Sequence, residues 1–152
     1  MRQNESMAID IEKLTKEAEL GSTVAQTVAG SYLLEGDKVS PDHPKAFQFL
    51  TQAAEAGAPR AMFHLARMYA EGLAVEPNPE KAQALFEAAS DKGEFLAHIY
   101  LARIFLLSDQ AKTAFYYQRA ADLQDVLMES EEMQEAIDFL ASELNPERPG
   151  SA

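Results

Sequence analysis

Along this chain, short runs in which apolar side chains recur every three or four positions alternate with polar stretches that carry Gly and Pro. The densest example runs from Ala61 to Gly93. Ala61, Leu65, Ala66 and Tyr69 come first, then a connection with Gly72, Val75 and Pro79, then Ala82, Leu85, Phe86 and Ala89. Recurrence at i, i+3 and i+4 gathers such side chains on one face of an α-helix. Gly and Pro between two such faces predict helix–loop–helix. Pro59 opens the first helix and Gly72 stops it. Asn78 caps the second, and Pro79 sits in its first turn, where a missing N–H costs little.

A looser copy precedes this segment. Ser22 to Glu35 is expected as a helix ended by Gly36, and Asp42 caps a second helix with Pro44 in its first turn and a stripe of Ala46, Phe49, Leu50, Ala53 and Ala54. A shortened copy follows. Leu101, Ala102 and Phe105 lie on one helix and Ala114, Tyr116, Tyr117, Ala120 and Ala121 on the next, with a tight turn at Ser108 and Asp109 between them. The spacing is regular. Gly21, Gly57 and Gly93 are 36 residues apart, as are Ala25, Ala61 and Ala97, and the pairs Gly36 and Gly72, Val39 and Val75, and Lys45 and Lys81. Helix periodicity alone does not align caps, loop valines and lysines together, so the chain is read as an internal repeat.

The ends differ. Residues 1–7 are polar and expected to be disordered. Residues 8–21 form an N-terminal capping helix on Ile11, Leu14 and Ala18. Residues 22–122 hold three repeats, over 22–57, 58–93 and 94–122. An acidic capping helix over 123–144 follows, with Met133, Ile137, Leu140 and Leu144 on its apolar face, and 145–152 form a flexible tail. The expected architecture is all-α: eight helices stacked as antiparallel pairs in a right-handed superhelix.

Composition narrows the chemistry. The chain has 152 residues, is 47% hydrophobic and has no Cys. A chain of this size buries about 70% of its unfolded surface on folding, enough for a core without staples. The absence of Cys excludes thiolate metal sites and a thiol nucleophile. A net charge of -12 repels phosphate backbones and argues against nucleic acid. With no signal-type or membrane-spanning apolar run, the chain is expected in the cytoplasm and off the membrane. No phosphate loop, HExxH or GxSxG motif occurs, so neither a cofactor nor a catalytic residue is expected. His43, His64 and His98 share no repeat position and are expected as solvated or core-edge residues rather than metal ligands.

These residues resemble the Sel-1-like repeat family, relatives of the tetratricopeptide repeat with longer loops. Ala61, Leu65-Ala66, Tyr69, Gly72, Val75, Lys81-Ala82, Leu85, Ala89 and Gly93 follow that family's pattern, as do Ala25, Ala29-Gly30, Gly36, Val39, Asp42, Lys45-Ala46, Phe49, Ala53-Ala54 and Gly57. Lys38 and Ala74 replace the pattern's second loop glycine. The third unit looks more like an ordinary tetratricopeptide repeat. The resemblance implies a non-enzymatic interaction module, an adaptor or scaffold that binds a peptide or protein in the groove lined by the first helix of each pair. Some secreted, Cys-rich members are linked to β-lactam hydrolysis. This chain lacks those cysteines.

In such stacks ligand residues lie two before and two after the Leu of the Leu-Gly step. That selects Thr27, Ser31, Phe63, Arg67, Ile99 and Arg103, with Arg60 one turn earlier. Arg60, Arg67 and Arg103 would clamp an acidic side chain or a peptide's terminal carboxylate, and Phe63 and Ile99 would be apolar anchors. The alternative is that the arginines only neutralise neighbouring acids. A homodimer formed through the ends of the stack is the other functional expectation.

The pattern places small residues where helices cross. Ala82→Leu is therefore expected to overpack and cost about 1–3 kcal/mol. An unchanged melting temperature would put Ala82 outside the packed stripe.

Overall fold

The computed structural model describes residues 10–36 and 39–127, together with 138, 139 and 143. Among the described residues the chain forms seven α-helices and no strand: α1 (Ile11–Glu19), α2 (Thr23–Glu35), α3 (His43–Glu55), α4 (Pro59–Glu71), α5 (Pro79–Asp91), α6 (Phe95–Phe105) and α7 (Gln110–Leu127). The expected fold class, an all-α repeat of helix pairs, is the one found. The expected terminal segment 1–7 and tail 145–152 lie outside the described residues, as does most of the expected helix over 123–144. α7 continues to Leu127, past Asp122, where the third repeat is expected to end.

The caps fall where side-chain chemistry puts them. The side chains of Asp42, Asn78 and Asp109 accept from the backbone N–H groups of Lys45, Lys81 and Lys112 at 3.0, 3.1 and 3.0 Å. Each satisfies a donor that the first helical turn leaves open, worth about 1 kcal/mol. The N–H groups of the same three caps donate back to the carbonyls of Leu33, Tyr69 and Phe105, at 2.9, 2.8 and 2.8 Å. Those three residues are themselves 36 apart. All three hairpins therefore close through the same backbone bond, although the third connection is five residues shorter.

The lysine after each cap has a matching role. Lys81 Nζ lies 4.7 Å from the centroid of the Tyr69 ring, and Lys112 Nζ lies 4.7 Å from that of Phe105. In the first hairpin the residue in this register is Leu33, which has no ring. There Lys45 turns to Phe49 at 5.7 Å and to Glu19 at 2.9 Å. An exposed cation–π contact is worth about 0.5–1 kcal/mol, so these lysines trim the hairpin more than they hold it.

Gly36 and Gly72 end α2 and α4 in the left-handed region, at φ 71° and 73°. A Cβ there would meet Pro41 Cγ at 2.5 Å or Pro77 Cγ at 2.7 Å. Ala74 is also left-handed, at φ 63°. It stands where the repeat pattern has its second loop glycine, which accounts for that preference.

Two compact units make up the chain, residues 1–85 and 86–152, with the boundary inside α5. In the first, the core is built from alanines (Ala18, Ala25, Ala29, Ala46, Ala53 and Ala61) with Phe49, Leu50, Leu65 and Met68 filling between them. Gly30 of α2 faces Leu50 of α3, and a Cβ on it would lie 2.7 Å from Leu50 Cγ. In the second unit, Phe95, Ile99, Ala102 and Ala120 form the core, with Tyr116 and Tyr117 packed against it. Phe105 and Tyr116 stack there, with centroids 6.0 Å apart and planes 10° apart.

One buried polar tie occurs in both units at the same register. Gln26 Nε2 donates to the Ala18 carbonyl at 3.1 Å and to Gln52 Oε1 at 3.2 Å. His98 Nδ1 and Ser90 Oγ are 2.6 Å apart. His98 follows Gln26 by 72 residues, and Ser90 follows Ala18 by 72. Met62 and Ala54 take these places in the middle repeat and leave it apolar.

The left-handed glycines offer a direct comparison. Gly72→Ala is expected to cost about 2–5 kcal/mol, the sum of about 1–2 for the left-handed backbone and about 1–3 for overlap with Pro77. Gly93 has φ 85° and nothing within 4 Å of an added Cβ, so Gly93→Ala should carry only the backbone cost of about 1–2 kcal/mol. Urea denaturation followed by circular dichroism measures both. Equal losses would remove the Pro77 contact from the account.

Candidate functional site

Spacing of four, three and four residues keeps side chains on one helical face. On α4 that face carries Arg60, His64, Arg67 and Glu71. The same register on α2, 36 residues earlier, carries Val24, Val28, Ser31 and Glu35. In the second unit it carries Leu96, Tyr100 and Arg103 on α6, with Leu107 just beyond.

Arg67 anchors the face in the first unit. Its Nη1 donates to Glu35 Oε1 across the α2–α4 pair, and its Nε lies 3.9 Å from Glu71 Oε1 one turn further along α4. The Arg67 side chain is 19% exposed, whereas those of Glu35 and Glu71 are 45% and 49% exposed. A largely covered cation is thus held by two half-open carboxylates. Arg60 is exposed at the start of the same face.

Other expected site residues fall differently. The Thr27 hydroxyl donates to the Thr23 carbonyl at 2.9 Å and the Ser31 hydroxyl to the Val28 carbonyl at 2.8 Å, so both protons are used inside α2. Phe63 and Ile99, expected as apolar anchors, are buried. Phe63 lies against the His64 ring, with centroids 5.2 Å apart, and Ile99 packs with Phe95, Ala102 and Ala120. A helix covered on more than one side keeps only a narrow open strip, and positions 63 and 99 fall outside it. Arg103 is exposed, with its guanidinium carbon 5.8 Å from the Tyr100 ring centroid.

Among the histidines, His98 departs from expectation. His64 is only 8% exposed, and its Nδ1 is buried with no hydrogen-bond partner. Burial lowers its pKa to about 4, with Arg67 and Arg60 adding to the shift and Glu35 opposing it. His98 lies fully inside the second unit, bonded to Ser90. Its pKa is also lowered to about 4, by burial first and by Arg119 second, against an opposing effect of Asp91. His98 is a core residue rather than a solvated or edge one, whereas His64 is covered at the edge of the core beside Arg67. His43 is the first residue of α3. Among the described residues no group of three or more His, Asp or Glu side chains is placed to hold a metal ion. Nor is any helix among them long and apolar enough to cross a membrane.

Glu35, His64, Glu71 and Tyr100 are face residues that the two-before, two-after rule passes over. The signal was present, because each stands at a fixed step from Arg67 or Arg103 along the repeat.

Hairpins with equal caps, equal closing bonds and an equal offset define a helix-hairpin repeat protein. The Sel1 repeat family profile matches residues 23–57, 59–94 and 95–125, and the chain belongs to that family. Sel1 repeats generally serve protein–protein interaction and are typically non-catalytic. The fold is similar to that of a Sel1 repeat protein from Oxalobacter formigenes, with a TM-score of 0.70 and 20% identity over 86% of this chain and 61% of that one. It is also similar to a protective antigen from uropathogenic Escherichia coli strains that displays an SLR fold, with a TM-score of 0.70 and 18% identity over 93% of this chain and 34% of that one. The chain thus spans about three-fifths and one-third of the lengths of these two proteins. No curated protein matches the chain in sequence.

The buried histidines set an acid limit. An unfolded histidine titrates near 6.5 and folded His98 near 4, so between these values the unfolded chain binds more protons. The contribution of His98 to stability is whole above about pH 6.5 and is lost as pH falls toward 4. At pH 4.5 the loss is about 2–3 kcal/mol. His98→Asn keeps a partner for Ser90 and removes the titration. Its unfolding free energy should therefore fall by about 2–3 kcal/mol less than that of the parent between pH 7 and 4.5. Parallel pH profiles for the two proteins would place His98 outside the linkage.

Proposed function

We propose that this chain is a non-enzymatic adaptor that binds a peptide or protein partner along the face carried by the first helix of each hairpin. Each unit presents its own stretch of that face, with Ser31, Arg60 and Arg67 on the first and Arg103 on the second. Arginine recognises carboxylates through a planar fork of donors, so the partner supplies an acidic side chain or a C-terminal carboxylate. One observation carries the reading: in a protein of net charge -12, Arg67 is held largely covered on this face with carboxylates at its guanidinium. A preformed surface of this kind loses little conformational freedom when it binds. The cytoplasm is its compartment in this reading.

Self-association is a second reading, favoured by the exposure of Ile104, Leu107 and Phe115 in the second unit. Light scattering separates the two. A monomer at micromolar concentration leaves the adaptor reading in place, and a stable dimer supports the other.

The adaptor reading is tested with a displayed random-peptide library presented with free C-termini. Selected peptides should be rich in Asp, Glu or terminal carboxylates, and Arg67→Ala combined with Arg103→Ala should weaken them about tenfold or more while the helical circular dichroism is retained. Selected peptides that bind the folded double variant as tightly as the parent would move the site elsewhere.

A further inference from the structure

We propose that Glu35 is an internal occupant of the Arg67 site, and that a ligand carboxylate with an apolar neighbour binds there by exchanging with it. This rests on the binding face proposed above.

Glu35 is the last residue of α2 and Glu71 the last of α4, each followed by a left-handed glycine cap. The C-terminal end of a helix carries partial negative charge, so a carboxylate there is repelled by its own backbone. These glutamates are placed where their own helices disfavour them, and Arg67 offsets the cost. Both are about half exposed while the guanidinium side chain is mostly covered. The cation is the fixed part of the pair and Glu35 the part that can leave. With its carboxylate half open to water, the pair holds by about 1 kcal/mol or less.

Two neighbours indicate what replaces it. His64 lies three residues before Arg67 on the same face, and its buried Nδ1 has no hydrogen-bond partner. A ligand group that displaces Glu35 brings a new polar partner to this edge, such as the amide N–H of a terminal residue. On α2, Val28 stands in the register of His64, two turns before Glu35, and is half-buried. Carboxylate, amide and apolar side chain together describe the last residue of a polypeptide.

The probe is N-acetyl-leucine, with N-acetyl-leucinamide as the control, titrated into the full chain and followed by NMR. N-acetyl-leucine should shift the Arg67 Nε–H and His64 ring resonances, and the amide should not. Glu35→Gln should bind N-acetyl-leucine about three- to fivefold more tightly than the parent, the factor released when a competing pair of up to about 1 kcal/mol is removed. Arg67→Lys, which keeps the charge but loses the fork, should weaken binding. Equal affinity in Glu35→Gln and the parent, with a lowered melting temperature in the variant, would make Glu35–Arg67 a structural bridge and overturn the proposal. Shifts located away from Arg67 would overturn it as well. Failure of the adaptor reading looks different: N-acetyl-leucine binds at Arg67 more tightly in Glu35→Gln, yet no displayed peptide is selected there.

Discussion

The distance at which two helices of one hairpin pass each other governs this molecule. Alanine and glycine at the crossings let backbones approach until the side chains beyond them interlock, as Gly30 does with Leu50 in the first hairpin. Interiors are packed to crystal density, so a single added methyl group at such a crossing has nowhere to go. The alanine-rich core of the first unit follows from this, with Phe49, Leu50, Leu65 and Met68 placed between small residues. Apolar burial drives the association, but the small residues decide how the hairpins seat.

A protein this acidic has two uses for an arginine. On an outer surface it lowers self-repulsion, and in a covered position it pairs with neighbouring carboxylates more strongly than it would in water. Arg67 is largely covered, on a helix whose Leu65, Ala66 and Met68 are buried. The buried histidine beside it stays uncharged because burial and two guanidinium groups act in the same direction. Among the described residues of this face, positive charge at neutral pH is therefore supplied by arginine. In the proposed adaptor role, anion binding here would not depend on protonation of His64 at neutral pH.

What the linear chain revealed was local chemistry. The capping roles of Asp42 and Asn78 and the chain reversals at Gly36 and Gly72 depend on residues within a few positions, and all are visible without coordinates. The closing bond through Leu33, Tyr69 and Phe105 was hidden because it is made by backbone atoms whose side chains differ. The helical phase of Phe63 and Ile99 could not be fixed, because one sequence does not tell how many sides of a helix are covered. Arg67 stood out by charge. Its partner Glu35 did not, since acids are common in this chain and only the α2–α4 pairing selects one of them. The depth of His98 was invisible for a related reason: Ser90, its partner, lies across a helix junction.

The shared closing bond also has a consequence for how the connections can vary. Eight residues lie between the bonded pair in the first two hairpins and three in the third, and the bond length changes by only 0.1 Å. Its geometry is set at the helix ends, so the intervening segment is a tether rather than a strut. Entropy penalises a longer tether only logarithmically. The short turn at Ser108 is thus a natural place to splice in an affinity epitope or a fluorophore-bearing peptide without disturbing how α6 and α7 meet.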